Sequence, residues 1–533
     1  MPDDEHIAPG ESERHRITGW AAIVASGTLL SRCLGLGRDV VLAAKFPRAA
    51  TDAFWIAFTI PNVLRQLLAE GATQNAVLPV LAKTRAQDGE KAARELFRAL
   101  RGFSLLVLAA VTVAGVVGAP WLVDLFAAGF RDQPGQRDRA ITLTRCLFPY
   151  IFFMGTGALG VAALNEHRRF VVTAYAPGLL NLAFIAAAIL LPGWLMLHGY
   201  DGILAMAIGA LVGGVCQVVA QWPSLNRIGY LSLPSLAFGH PGVRDALRRM
   251  GPVLFGIGIY YIDVVIARRF LSELGVGALS YFSWALRLCD FPQGIFVMAL
   301  QAATLPSLSL LFAQKDQAEL TRTFAFGMQL TLFVGIGTSA LFVALAHPLV
   351  VLAFQRGQFD SLAAQETARA LMAQGIGIWT VAATRQLLSV FFATGDTRTP
   401  VIVSAADLMV FIALAVWLKP VLGHVGISLA VSGSSAAQML LLWLLLPRRM
   451  DLQLKPILSS ALRTAFAALL AAGAGFWVSE HAGNRFSENI PSRLLPGVAG
   501  ALTFTLVFFV AAWLLRSPEL SILKGAFGRK RQR

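Results

Sequence analysis

The sequence is short of charged residues. Only 14% of its 533 residues are Asp, Glu, Lys or Arg, against roughly 25% in an ordinary soluble protein. Acidic residues are the scarcer kind, since 30 Asp and Glu stand against 45 Lys and Arg. A soluble protein of this length needs several polar domain surfaces, and this chain has too little polar material to cover them. The composition excludes a soluble multidomain enzyme, and the 56% hydrophobic content excludes a disordered chain.

Cysteines and enzyme motifs are also scarce. The four cysteines lie in apolar segments without C-x-x-C spacing, so we predict small buried hydrophobic side chains and no disulfide or metal site. There is no Walker A motif, no H-E-x-x-H motif and no nucleophile–base pair, so we predict no enzyme activity and no cofactor. A G-x-G-x-x-G pattern at 155–160 lies inside an apolar segment, where small residues favour close helix packing. The four cysteines are Cys33, Cys146, Cys216 and Cys289.

Long apolar segments dominate what is present. A membrane-spanning helix needs about 20 mostly apolar residues, and such segments recur along the whole chain. We predict an all-α polytopic membrane protein with 14 transmembrane helices. The predicted spans are 17–44, 51–82, 102–127, 141–164, 171–197, 202–224, 251–272, 276–313, 322–352, 364–394, 400–418, 424–446, 459–479 and 494–515.

Loop charge predicts the orientation of these spans. The segments 83–101, 227–249 and 448–463 carry six, four and four Lys or Arg, whereas the loop around Tyr200 carries none. Basic loops stay in the cytoplasm, so both termini are expected there, beginning with a tail over 1–16 that is not a cleavable signal. The net charge of +15 is then mostly topological, and we expect no nucleic-acid partner. We predict that the basic tail at 516–533 is a topology anchor, in preference to a binding segment for anionic lipid or nucleic acid.

An internal repeat divides the chain. Residues 74–81 and 301–308 share Gln, Ala, Leu, Pro and Leu at matching positions, at an offset of 227. The turns at 163–168 and 393–398 match at an offset of 230. Two parallel six-helix halves around a central cavity are a common transporter plan. We predict an N-lobe at 17–226, a C-lobe at 244–447, and two further helices at 459–515.

Buried charges indicate the kind of substrate. An ionisable residue inside a span is costly and normally faces a bundle interior or a cavity. Arginine forks suit phosphate oxygens, so the arginines within the spans predict an anion site. The alternative is internal salt bridging of Arg38 with Asp39 or Asp52, of Arg65 with Glu70, and of Arg287 with Asp290. We favour the substrate site for Arg32, Arg65 and Arg287, while for Arg38 a salt bridge is at least as well supported.

Two further acids lie in the second half, Asp263 in the seventh span and Asp407 in the eleventh. Neither has a basic residue one turn away in its own span. An intramembrane carboxylate suggests coupling to a cation or a proton. The alternative, equally weighted, is a protonated carboxyl that is hydrogen bonded to a neighbouring helix.

Several segments resemble the MurJ (MviN) family of bacterial lipid II flippases. They are "SRCLGLGRD" at 31–39, "TDAFWIAFTIPNVLRQLLAEGA" at 51–72, "LPVLA" at 78–82, "RLCDFPQG" at 287–294, "LPSLS" at 305–309 and "GDTRTP" at 395–400. Their order and spacing fit that family over almost the whole chain.

The resemblance implies a fold of the MATE/MOP exporter superfamily in the bacterial inner membrane, with the last two helices forming a groove for a lipid tail. It also implies that cavity arginines hold the diphosphate of lipid II, undecaprenyl-diphospho-muropeptide. We expect a monomer that interacts with cell-wall synthesis proteins. The implied diphosphate ligands are Arg32, Arg38, Arg65 and Arg287, and the supporting or gating residues are Asp39, Asp52, Pro61, Glu70 and Asp290.

The sequence departs from the family at a few positions. Thr59 stands where many relatives have Lys, and Asp290 where Glu is usual. Relatives with a sodium site place its ligands at positions that align with Ala267 and Phe411, about one turn from Asp263 and Asp407. A proton or the membrane potential is therefore the alternative to sodium as the energy source.

Three other functions remain as alternatives. A flippase for another polyprenyl-diphosphate glycan would share the arginine cluster. A MATE-like drug exporter would need cavity carboxylates and aromatic residues instead. A membrane scaffold without transport activity would have no need of buried arginines in both halves.

Overall fold

The computed structural model describes residues 9–67, 74–237, 239–446, 454–485 and 490–520. Within these ranges the chain is helical, apart from short turns and one extended segment that precedes the helix beginning at Pro241. It divides into two compact units, residues 1–261 and 262–533.

The first unit contains ten helices and most of an eleventh among the residues described. They are α1 (Pro9–Lys45), α2 (Arg48–Arg65), α3 (Gln74–Val117), α4 (Ala119–Phe126), α5 (Gln136–Leu147), α6 (Tyr150–Glu166), α7 (Phe170–Leu190), α8 (Pro192–Leu197), α9 (Leu204–Val219), α10 (Trp222–Arg227) and α11 (Pro241–Ser272). Its buried apolar residues form a cluster around Leu96, Leu159 and Tyr230.

The second unit continues from the end of α11. Its helices are α12 (Ala278–Pro292), α13 (Met298–Ala313), α14 (Gln317–Ala344), α15 (Ala346–Phe354), α16 (Ser361–Ile376), α17 (Ile378–Ala393), α18 (Arg398–Leu422), α19 (His424–Leu445), α20 (Leu454–Arg485) and α21 (Ile490–Leu514). Between α12 and α13 the backbone is π-helical over Gln293–Val297. One apolar cluster surrounds Phe324 and Phe391, and another joins Ala471 to Phe508.

Eleven helical segments in the described ranges are long and apolar enough to cross a membrane. They coincide with eleven of the fourteen predicted spans. The other three predictions, 17–44, 51–82 and 251–272, fall on α1, α2 with the start of α3, and α11. The prediction of an all-helical polytopic membrane protein is therefore confirmed.

Two local expectations need correction. The basic segment 83–101 is not an irregular loop but part of α3, which is interrupted where Gly89 adopts φ 83°. Of the four cysteines only Cys289 is buried, since the other three lie on outward faces of helices. An apolar span buries only part of its surface against protein, so apolar sequence alone does not predict which residues pack inside.

The repeat is visible in the backbone of two turns. After α6, Arg168 has φ 58°, and after α17, Gly395 has φ 75°. The amide of Arg169 bonds the carbonyl of Leu164 as that of Asp396 bonds that of Phe391, both at 2.8 Å. Every equivalent pair lies 227 residues apart, the same offset as the first sequence match. The offset of 230 for these turns is thus corrected to 227, and both turns are the left-handed caps that commonly end helices.

Glycines let helices of the first unit approach closely. Gly209 and Gly213 on α9 lie one turn apart and face α7. A Cβ added to Gly213 would lie 2.8 Å from the Cα of Leu180. In the G-x-G-x-x-G segment, a Cβ on Gly160 would meet the side chain of Gln221 at 2.2 Å. The glycine pattern at 155–160 therefore belongs to helix packing, as predicted.

Candidate functional site

The C-terminal part of α1 holds a buried ion pair. Arg38 is 8% exposed and Asp39 is fully buried. The Nη2 atom of Arg38 lies 2.7 Å from Oδ1 of Asp39, and its Nε donates to the same oxygen at 2.8 Å. Of the two partners expected for Arg38 in a salt bridge, the structure thus shows Asp39.

The remaining faces of the Arg38 guanidinium are also occupied. Its Nη1 donates to Oδ1 of Asn181 on α7 at 3.2 Å, and Asn181 donates to the carbonyl of Ser31 at 3.1 Å. The guanidinium carbon lies 5.3 Å from the ring centroid of Phe184 and 6.0 Å from that of Phe58. These contacts join α1 to α2 and α7, so the Arg38 side chain is part of the packing between these helices.

The other predicted residues of the first unit lie on α1 and α2. Arg32 is half-buried, two turns before Asp39, and Asp52 is fully buried near the start of α2. Arg65 ends α2, half-buried, and its Nε donates to Oδ1 of Asn62 at 3.0 Å. Glu70 lies outside the described residues, so its expected pairing with Arg65 stays a prediction.

The second unit supplies one predicted arginine. Arg287 and Asp290 are half-buried on α12, one turn apart, just before the π-helical segment. A π-turn widens the helix and is often found at functional sites. Arg65 also precedes π-helical backbone, at Gln66 and Leu67, but it borders that backbone directly, whereas Arg287 is separated from it by the last residues of α12.

Tertiary folding brings Asp263 and Asp407 together. The two carboxylates, on α11 and α18, are close enough to interact electrostatically. The Ser434 hydroxyl on α19 lies near Asp407 and donates to the carbonyl of Val431 at 3.3 Å. One Oδ1 atom on each acid is buried with no hydrogen-bond partner in the described part of the chain. By contrast, Ala267 and Phe411 are buried apolar residues.

Two charged groups in the structure were not predicted from the sequence. Arg268 on α11 is buried, donates to Oγ of Ser283 at 2.6 Å, and lies 6.0 Å from the ring centroid of Phe282. The sequence did contain a signal for Arg268, because a charged residue inside the predicted span 251–272 indicates a buried group. The second group is a network near the end of α6, in which Arg85 pairs with Glu90 and Glu166, and His167 lies between the same two acids. No single segment of sequence contains that network.

Other kinds of site find little support in the described residues. They contain no cluster of three or more His, Cys, Asp or Glu that could hold a metal ion. A cavity of about 480 Å³ in the second unit is lined by residues of the α15–α16 turn and Arg493, and it contains none of the predicted site residues. The chemistry present is that of buried guanidinium and carboxylate groups.

Comparison with known proteins connects this arrangement to a family. The family model described as lipid II flippase MurJ matches residues 44–495. The lipid II flippase MurJ of Burkholderia cenocepacia is 35% identical over 464 residues, covering 86% of this chain and 89% of that protein.

Solved structures show the same fold. A lipid II flippase MurJ in an inward closed conformation matches with a TM-score of 0.76 at 22% identity, over 93% of this chain and 99% of that one. An inward-facing multidrug resistance MATE transporter of the MOP superfamily matches with a TM-score of 0.62 at 14% identity, over 84% and 98%. Since the family model covers most of the sequence, this chain belongs to the lipid II flippase MurJ family, whose members are multi-pass bacterial membrane transporters and not enzymes.

Proposed function

We propose that this protein moves lipid II, undecaprenyl-diphospho-muropeptide, from the inner to the outer leaflet of the bacterial cytoplasmic membrane. The observation that carries the proposal is the family match over residues 44–495, together with 35% identity to a lipid II flippase. Buried arginines in the apolar helices supply the chemistry that an anionic headgroup requires.

The proposed architecture consists of two lobes that move by alternating access, so that the substrate site opens first to one side of the membrane and then to the other. The proposed N-lobe is 17–226, the C-lobe is 244–447, and 459–515 forms the groove for the lipid tail, with both termini in the cytoplasm. The repeated left-handed caps at Arg168 and Gly395 support two copies of one helical plan. The distribution of basic residues among the loops supports the orientation.

The proposed diphosphate ligands are Arg32, Arg65 and Arg287. Arg38 is a weaker candidate for direct contact, because its donors bond Asp39 and Asn181. We assign Arg38 to positioning α1, where Arg32 also lies. The half-buried exposure of the other three arginines leaves part of each side chain accessible to a ligand.

The energy source follows from charge. With the inside negative, the membrane potential favours outward movement of an anion by about 2.3 kcal/mol per charge per 100 mV if the full potential is crossed. The neighbouring carboxylates of Asp263 and Asp407 form the proposed site for a coupling cation or proton, because two acids within interaction range inside apolar helices repel each other unless one is protonated or a cation lies between them.

Growth of a strain depleted of its own flippase tests the proposal. We expect Arg65→Ala and Arg287→Ala to abolish rescue at normal protein levels, since each removes a proposed phosphate ligand. The matched control is Arg369→Ala, because Arg369 is exposed and pairs with Glu366 at the surface. Full rescue by both cavity variants would refute the phosphate site.

The identity of the cargo is tested by mass spectrometry of lipid that copurifies with the protein. Lipid II should be enriched with the wild-type protein and reduced with Arg287→Ala. Enrichment of a different polyprenyl-diphosphate glycan would replace lipid II as the substrate. Recovery of bulk phospholipid alone would contradict both assignments.

A further inference from the structure

A further buried carboxylate lies far along the chain from the proposed transport residues. Glu519 follows α21 and is fully buried. Arg516 has φ 53°, and this left-handed residue turns the chain after α21 so that Glu519 meets α20. There the hydroxyl of Ser460 donates to Oε1 of Glu519, and Nη1 of Arg463 donates to the carbonyl of Arg516 at 3.4 Å.

Three oxygen atoms around this contact have no hydrogen-bond partner within the described ranges. They are Oε2 of Glu519, Oγ1 of Thr464 and Oγ of Ser517. Thr464 lies one turn after Ser460 on the same face of α20, and Ser517 lies two residues before Glu519. All four side chains are buried, and Thr464 and Glu519 are fully buried. No ion pair to Glu519 occurs among the described side chains.

A buried carboxylate in this position must be neutralised. Burying a charge without a counter-charge is strongly unfavourable, and buried hydroxyls without partners add to the cost. The four side chains offer only oxygen atoms, which are the ligands of hard cations. They carry a single negative charge, so a monovalent cation balances them, whereas a divalent cation would leave one buried positive charge.

We propose that Ser460, Thr464, Ser517 and Glu519 form a binding site for a sodium ion at the base of the α20–α21 pair. The ion replaces the missing hydrogen-bond donors and joins the start of α20 to the segment after α21. An apolar cluster that includes Ala467, Ala468 and Ala512 lies next to the site, which makes an uncompensated charge costly there. The ion is structural and separate from the acids Asp263 and Asp407.

The test is thermal unfolding of the full-length protein in detergent, in NaCl against choline chloride at equal ionic strength. Measurements use an Asp407→Asn background, so that a cation at the Asp263–Asp407 pair does not contribute. A ligand that binds only the folded state raises the melting temperature, so we expect a saturable rise with NaCl. Glu519→Gln should abolish that rise, and Thr464→Val should move its midpoint to at least about threefold higher NaCl, because one ligand is lost.

Ser459→Ala is the matched control, because Ser459 lies beside Ser460 but is exposed. Its sodium response should equal that of the unaltered chain. If Glu519→Gln does not fold, Thr464→Val and Ser460→Ala test the site in its place. A sodium response with an unchanged NaCl midpoint in both variants would overturn the proposed site. The melting temperature could instead be independent of sodium and fall as the pH rises. That result would show that a proton neutralises Glu519, and it would also overturn the proposal.

Discussion

At the scale of single residues, burial separates structural charges from accessible ones. Arg38 and Asp39 form one compact pair inside the first unit, whereas Arg32, Arg65 and Arg287 are only half-buried. Removing one member of a buried pair leaves an uncompensated charge, which costs more than the pair itself contributes. Substitutions at Arg38 should therefore act first on folding.

Arg38→Ala should destabilise the protein by about 3 kcal/mol, because it leaves Asp39 buried and alone. The double variant Arg38→Ala, Asp39→Ala should recover part of that loss. Chemical unfolding in detergent measures both, with the exposed Arg322→Ala as control. Equal losses for the single and the double variant would show that the ion pair is not the cause.

Asp124 lies on α4, beyond the apolar segment that ends at Val117, and should make stability sensitive to acid. Hydrogen bonds from Arg137 and then Arg131 hold the pKa of Asp124 well below its usual 3.8. Because the pKa is lower in the folded state, the carboxylate contributes stability above pH 3.8 and loses that contribution as the pH falls further. The contribution is small, since Arg131 is solvent-exposed and Arg137 is partly exposed.

Melting curves at pH 5 and pH 3 test this point. The wild-type protein should lose more stability between the two than Asp124→Asn, which cannot lose a carboxylate. Arg137→Ala should resemble Asp124→Asn in this respect. Parallel losses in all three proteins would assign the acid sensitivity to other carboxyl groups.

At the scale of helices, close packing through small residues organises the first unit. Helices α7 and α9 approach through Gly209 and Gly213, where a Cβ would lie within 3 Å of main-chain or side-chain atoms of α7. Such contacts are expected in a membrane, where packing rather than the hydrophobic effect joins helices. The spacing of four was present in the sequence, but its partner helix was not identifiable there.

Gly213→Leu should destabilise the protein by about 1–3 kcal/mol, because the added side chain must displace the backbone of α7 at Leu180. Gly473→Leu is the control, since a Cβ at Gly473 on α20 meets nothing within 4 Å. Thermal unfolding in detergent compares the two. Similar losses would show that the close approach of α7 and α9 is not what makes Gly213 necessary.

At the scale of the whole molecule, loop charge predicts a single orientation. The fourteen-span prediction places Tyr200 on the outer side of the inner membrane and Gln314 in the cytoplasm. Eleven of the helical segments are suited to crossing a membrane by length and composition. Because the orientation rests on the excess of Lys and Arg in alternate loops, it can be tested by chemical access from each side.

With the four native cysteines replaced by alanine, Tyr200→Cys should react with a membrane-impermeant maleimide in intact cells. Gln314→Cys should react only after the membrane is permeabilised. Both residues are exposed, so reactivity reports the side of the membrane. Labelling of Gln314→Cys in intact cells would reverse the orientation or change the number of spans.

The sequence by itself determined the membrane class, the positions of eleven spans and the arginines within apolar segments, because hydropathy and length are local properties of a chain. It also contained the repeat, although the offset of its second turn needed the hydrogen bonds after α6 and α17. Only the tertiary structure decided that Arg38 is held by Asp39 and Asn181, that Asp263 lies near Asp407, and that Glu519 is buried against Ser460. These pairings depend on how each helix is rotated about its axis and which helix lies beside it, and no short stretch of sequence specifies either.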